Sequence, residues 1–307
     1  MISLDGSKLA LDNASPLRKH FGCSGSKKDA TTALASLCYD PLNNVILDAG
    51  LYPCLTSEHD AAKANIKAVE ALPKPSKIKN LYIFDRGYPS KEFFAEFIDS
   101  ELTFLMRVRR KFNLDFDLVS EQETVTFSYG SKAYTVRVFK VPLETGETET
   151  IVTNLPAEHL KRCEVKELYF KRWCIETKYN SLKNKLELEN MSGRRPVTVY
   201  QDFWAKPDLA NTMAALEFAT NESIAHKTSD SNNKYKQTTN ENRLISHFSK
   251  RYAELLAYPD TDHRLALFEE LVEDISIYPV EIKPGRSFSR KTPRKMKFCD
   301  RIKRVLR

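Results

Sequence analysis

Residues 168–188, LYFKRWCIETKYNSLKNKLEL, constrain this chain more tightly than any other stretch. Taken as one helix at 100° per residue, Tyr169, Arg172, Glu176 and Lys183 fall within an arc of about 60°. Leu168, Ile175, Tyr179, Leu182 and Leu186 form an apolar stripe beside that arc, and Lys171, Lys178 and Lys185 point away from it. Such a helix buries one side and presents a lone carboxylate between an arginine and a lysine. Two readings of that face stand open. It is either a solvated surface laced with weak charge pairs, or a place where Glu176 ligates a metal while its basic and aromatic neighbours hold a phosphate backbone.

The surrounding elements read as an α/β domain. Met1–Leu4 is a short apolar run ending at Asp5-Gly6-Ser7, a combination that favours a turn. Strand-like runs follow at 33–38 and 44–54, and Ser57 with Asp60 is a variant capping box opening a helix over 58–72. Beyond the linker Pro73-Lys74-Pro75-Ser76, the run Asn80–Phe84 has the character of a buried strand. Asp85 stands at its carboxyl end, where open α/β sheets place their chemistry. Ser90 caps a helix reaching about Leu102, and 103–111 reads as a strand with Arg107 and Arg109 on one face. From 113 to 153 the pattern is wholly β, as expected of a small sheet inserted in the domain. After a break at Gly193–Pro196, a helix over 197–221 carries Phe203, Leu209, Met213, Leu216 and Phe218 as a core stripe. Residues 228–242 read as a polar loop, and helices at 243–256 and 262–274 close the folded part.

Composition narrows the class. A chain of 307 residues forms one large domain or two smaller ones, and a mean hydropathy of −0.47 without an apolar run near the roughly 20 residues of a membrane span excludes a bilayer protein. Met1–Leu11 does not read as a signal peptide. The six cysteines lack a C-x-x-C pair and the six histidines lack an H-E-x-x-H, which points to reduced thiols and away from zinc. The formal charge of +7 is a tail property. Lys283–Arg307 holds eleven Lys or Arg against Asp300 alone, leaving about −3 for the preceding 282 residues. Such a tail is either a solvated end or an electrostatic contact to nucleic acid.

The spacing Tyr169-x2-Arg172-x3-Glu176-x6-Lys183 repeats the Y(2)R(3)E(6)K signature, and in it the chain resembles one subgroup of the DDE transposases of bacterial insertion sequences. IFDRGY at 83–88, DGSKLAL at 5–11, VTNLPAE at 152–158 and PGRSFSRK at 284–291 agree, so the resemblance spans nearly the whole chain. It implies an α/β fold, an RNase H-like mixed sheet with flanking helices and an inserted small β-sheet. Asp5 would lie on the first strand, Asp85 at the end of the fourth and Glu176 on a later helix. The expected segments are 1–112 and 154–225 for the core, 113–153 for the insertion, 226–282 for a loop and C-terminal helices, and 283–307 for the basic tail. Family members usually carry a helical end-binding region before the first Asp; with four residues ahead of Asp5, the chain is expected to be a truncated copy.

Three carboxylates brought together repel one another unless cations lie between them, and hard oxygen ligands favour two Mg²⁺ or Mn²⁺ ions. Such a pair activates an attacking oxygen and stabilises the leaving one in phosphodiester chemistry. The resemblance therefore implies Asp5, Asp85 and Glu176 as catalytic metal ligands. It implies Arg172 and Lys183 on phosphates flanking the cleaved bond, and Tyr169 at the DNA terminus. Trp173 is either a platform for a flipped base or a packing residue. Arg86, Arg107, Arg109 and the tail residues Arg286, Arg290, Lys291, Arg294 and Lys295 are weaker candidates for backbone contacts. The expected partner is double-stranded DNA, transposon ends and target, bound by a homodimer in the cytoplasm at the nucleoid, with no membrane. The leading reading is the catalytic core of a cut-and-paste transposase. The alternatives are a non-catalytic DNA-binding or regulatory remnant and an RNase H-like nuclease without strand transfer.

Overall fold

Leu81–Phe84 is apolar at every position because both of its faces are covered. Tyr82 and Phe84 belong to one core with Leu4, Phe93, Phe97, Phe104 and Met106, while Ile83 belongs to a second with Leu105, Phe139, Ile151, Val165 and Tyr169. The computed structural model describes residues 1–25, 30–75, 78–229, 233–257 and 259–283. Within it the chain divides into two compact units, Met1–Ala210 and Asn211–Arg307.

The first unit opens with β1 (Ile2–Ala10), α1 (Ser15–Phe21), β2 (Cys23–Ser24), β3 (Ala30–Asp40), β4 (Val45–Pro53) and α2 (Glu58–Glu70). It continues through β5 (Leu81–Phe84), α3 (Lys91–Asp99), β6 (Thr103–Val108), α4 (Leu114–Leu118), β7 (Gln122–Tyr129), β8 (Lys132–Pro142) and β9 (Thr148–Thr153). Then come α5 (Arg162–Phe170), α6 (Trp173–Asn184) and α7 (Pro196–Lys227), which crosses the boundary. Leaving the two-residue β2 aside, the sheet begins β4-β3-β1-β5-β6, with β1, β3 and β4 antiparallel and β1, β5 and β6 parallel. This is the α/β arrangement of an RNase H-like core, a mixed sheet with the first strand central and helices on both faces.

Local chemistry sets the boundaries. Ser57 accepts from the amide of His59 and Ser90 from that of Phe93, so both helices start where a hydroxyl caps their first turn. The Ser57 cap closes on His59 and not on Asp60. The Asp-Gly pair does not turn the chain. β1 runs straight through it, paired with β3 from Ser3↔Tyr39 to Ala10↔Thr32, and eight cross-strand partners outweigh a dipeptide preference. The strand expected over 103–111 ends at Val108, and Arg109 lies beyond it.

Residues 113–153 do not form a separate sheet. β9 pairs antiparallel with β6 at Leu105↔Thr153 through Val108↔Thr150, and β8 and β7 add on outside it. An edge strand left bare presents unpaired amides and carbonyls, and β9 satisfies those of β6. Phe127, Tyr134, Val136 and Val138 then extend the core beneath α3.

The second unit holds β10 (Gln237–Thr238), α8 (Glu241–Ala257), α9 (Thr261–Ser276) and β11 (Val280–Glu281); β10, inside the stretch expected as loop, pairs with β11 beyond the last helix. Phe248, Leu267, Leu271 and Ile275 are buried there, whereas Phe218, expected in the core stripe of α7, is 66% exposed. Among the described residues no helix is long and apolar enough to cross a membrane.

Candidate active site

Two of the three acids meet because of strand register. β1 and β5 pair in parallel only at Ile2↔Tyr82 and Ser3↔Ile83 and then part. Counting onward, Asp5 on β1 comes level with Asp85, which lies just past the end of β5, at the mouth where the strands separate, and the Asp85 charge acts on Asp5. Asp5 is half-buried, and its Oδ1 accepts from the Gly6 amide at 2.9 Å. Burial first, and then the charge of Asp85, push the Asp5 carboxyl up to about 7; Glu58 adds to the rise, and Arg172 and the Gly6 amide oppose it. Asp85 sits in a tight loop in which the Gly87 amide donates to its Oδ1 at 2.6 Å. A Cβ at position 87 would stand 2.9 Å from that oxygen, so only glycine lets the loop fold over the carboxylate in this way.

The third acid arrives on a helix that is not continuous. The stretch expected as one helix over 168–188 breaks at Lys171-Arg172 into α5 and α6. Here the amides of Lys171, Arg172, Cys174 and Ile175 each donate three residues back, winding the chain more tightly than an α-helix. The four signature residues therefore do not share one helical face. Tyr169, in the last turn of α5, is 4% exposed and packs with Ile83 and Leu105 of the sheet, while Arg172 is only 6% exposed at the joint. Arg172 Nη2 donates to Glu176 Oε1 at 2.9 Å, and the charge of Asp85 also acts on the guanidinium.

What docks α6 is Tyr179, whose hydroxyl lies 3.0 Å from the Asp5 carbonyl and 3.1 Å from that of Ala35. The turn bearing Glu176 is thereby tied to the strand bearing Asp5. Removing that hydroxyl leaves two carbonyls short of a donor. Tyr179→Phe is expected to cost about 1–2 kcal/mol, read as a lower midpoint in denaturant at unchanged slope.

Lys183 is a second tie. Its Nζ donates to Ser7 Oγ and to the Lys8 carbonyl, both at 2.8 Å, and pairs with Glu189 at 3.8 Å. Burial holds its pKa below the usual lysine range, against the pull of Glu189 and Asp5. In this structure it faces β1. Trp173 is 36% exposed, with the Arg172 guanidinium 5.0 Å from its ring centroid. Arg86 and Arg109 are exposed and joined by a bond from Arg109 Nε to the Arg86 carbonyl at 3.2 Å, while Arg107 pairs with Glu149 at 2.7 Å. Arg286, Arg290, Lys291, Arg294 and Lys295 lie outside the described residues.

Sequence reasoning missed Glu58, Tyr88, Tyr179 and Gly87 as parts of this site. An acid opening a helix is ordinary dipole chemistry, so nothing local marks Glu58. Tyr88 and Gly87 carried a signal in the segment IFDRGY, read only for Asp85 and Arg86. The donor set is carboxylate oxygen, suited to a hard divalent cation. Asp5 and Asp85 fit one, because a cation between them offsets the burial and, after it, the Asp85 repulsion that hold the proton on Asp5. Glu176 fits only when parted from Arg172, and among the described residues no three His, Cys, Asp or Glu side chains stand close enough to hold one ion.

A family model described as a transposase DDE domain matches residues 4–207. No curated protein matches the chain. Among solved structures, the chain is similar to the piggyBac transposase in its cryo-EM synaptic complex with hairpin DNA, at a TM-score of 0.47 and 12% identity over 93% of this chain. The chain spans 59% of that transposase chain.

Proposed function

The chain belongs to the transposase DDE domain family, and from that premise we propose that it is the catalytic core of a DNA transposase, cutting and joining phosphodiester bonds at transposon ends. The observation that carries this reading is the level placement of Asp5 and Asp85 at the parting of β1 and β5. Divalent cations held there would supply activation of the attacking oxygen and stabilisation of the leaving one. The chain's own residues do the rest. Asp5 and Asp85 provide the anionic floor, Tyr179 holds the Glu176 helix against it, and Arg172, with Trp173 stacked beside it, offers a cation to a phosphate. Arg86 and Arg109, exposed at the rim, suit backbone contacts, which give affinity without sequence choice.

The test is incubation of purified chain with a duplex bearing the terminal repeat that flanks its gene, with Mg²⁺ and with Mn²⁺. Nicked and joined products support the reading, cleavage without joining makes the chain a nuclease, and binding without cleavage in either ion makes it a non-catalytic remnant. The pairing of Glu176 with Arg172 is the observation that favours the remnant.

Gly87→Ala offers a finer check. The added methyl displaces the Asp85 carboxylate rather than backbone, so cleavage is expected to fall about a hundredfold, the scale of a misplacement near 1 Å, with little change in unfolding temperature. Single-turnover cleavage beside thermal denaturation decides it; equal loss of both would make Gly87 a folding residue.

A further inference from the structure

Glu58 is the first helical residue of α2, and its carboxylate makes no hydrogen bond or ion pair among the described residues. It is nonetheless held in place. Its chain packs over Gly6, where a Cβ would stand 3.1 Å from Glu58 Cγ and 3.3 Å from its carboxyl carbon. The residue next to Asp5 therefore leaves the room that Glu58 fills. An independent observation points into the same gap. Tyr88, in the loop that carries Asp85, is 1% exposed, and its hydroxyl has no partner among the described residues. Besides the Cys38 thiol, the charges that act on that hydroxyl are those of Asp5, Glu58 and Asp85. A buried hydroxyl left unbonded calls for a polar group to complete it.

Asp5 alternates along β1 with Leu4, whose core also contains Phe84 and Tyr88. Glu58 and Tyr88 therefore reach the mouth between β1 and β5 from the face covered by α2 and α3, opposite that of Asp5.

We infer that Glu58 and Tyr88 are positioning residues that accept hydrogen bonds from the water shell of a divalent cation held by Asp5 and Asp85. This rests on the transposase reading of the same aspartates. Action through water suits the absence, among the described residues, of three such side chains close enough for one ion. Mg²⁺ and Mn²⁺ keep several waters when few carboxylates bind them, and groups that hold those waters tune affinity.

The experiment is Mn²⁺ titration of the full chain at pH 8, followed by water-proton relaxation, with thermal unfolding measured in EDTA. E58Q is expected to weaken Mn²⁺ binding about tenfold and Y88F several-fold, each with a wild-type unfolding temperature in EDTA. G6A, which crowds Glu58, is expected to weaken it in the same direction, and E58D to recover part of the loss of E58Q. An E58Q affinity within twofold of wild type overturns the inference while leaving the aspartate site standing, provided that D85N loses binding. Weakened binding accompanied by a lower unfolding temperature and no recovery in E58D also overturns it. Wild-type chain that binds no Mn²⁺ overturns this inference and the transposase reading together.

Discussion

Asp85→Asn is expected to lower DNA cleavage by on the order of a thousandfold or more while leaving duplex binding at moderate salt intact or slightly tighter. The loss is large because the group acts on charge that develops only in the transition state. The fold should tolerate the change. The amide oxygen of asparagine still accepts from Gly87, and removing the charge relieves the repulsion on Asp5. Binding is retained because one fewer negative charge at the mouth favours a polyanion. Filter binding beside single-turnover cleavage separates the two effects, and parallel loss of both would reduce Asp85 to a folding residue.

Asp5→Asn is expected to make the metal-free protein more stable and the protein unresponsive to divalent metal. The folded chain holds the Asp5 proton up to about pH 7, whereas the ordinary value is 3.8. A group that binds its proton more tightly when folded stabilises the fold below its unfolded pKa. That contribution is lost as pH rises from about 4 to 7, and above 7 the whole cost of the buried charge is present. The shift corresponds to at most about 4 kcal/mol. In EDTA at pH 8 the variant should therefore melt several degrees above wild type, with the gap shrinking as pH falls toward 4. Mn²⁺ should raise the wild-type midpoint and leave the variant unmoved. A variant that melts below wild type at pH 8 would mean that the Asp5 charge does not burden the fold.

Strand β5 was legible because Leu81–Phe84 is apolar without alternation, which places Asp85 at a strand end from the sequence alone. Asp5 was placed on the first strand by the resemblance, as β1 bears out, but not by its local sequence. Asp-Gly favours a turn locally, and only the pairing of β1 with β3 contradicts it. The break at Lys171-Arg172 was hidden because apolar spacing continues across it: Val165 and Tyr169 face one core and Ile175, Tyr179 and Leu182 are buried beyond. Periodicity reports which side is apolar, not whether the backbone is continuous. The role of Lys183 was read as outward because lysine suits phosphate, yet Ser7 and the Lys8 carbonyl lie within its reach through a contact more than 170 residues distant in sequence. Glu58 was hidden for a related reason, since its neighbours Asp5 and Asp85 are assembled by β1 and β5 and not by its own helix.

Arg172 has five N–H groups, of which Nη2 serves Glu176 and the buried Nε has no partner among the described residues. A phosphate presents two oxygens in the plane that the Nε–Nη2 edge prefers, and would outcompete a single carboxylate oxygen for it. Arrival of the polyanion would then release the glutamate toward the aspartates. A short duplex should sharpen Mn²⁺ affinity in wild type and fail to do so in Arg172→Lys. On that reading the Arg172–Glu176 bond would hold the acid away from the site until a polyanion displaced it.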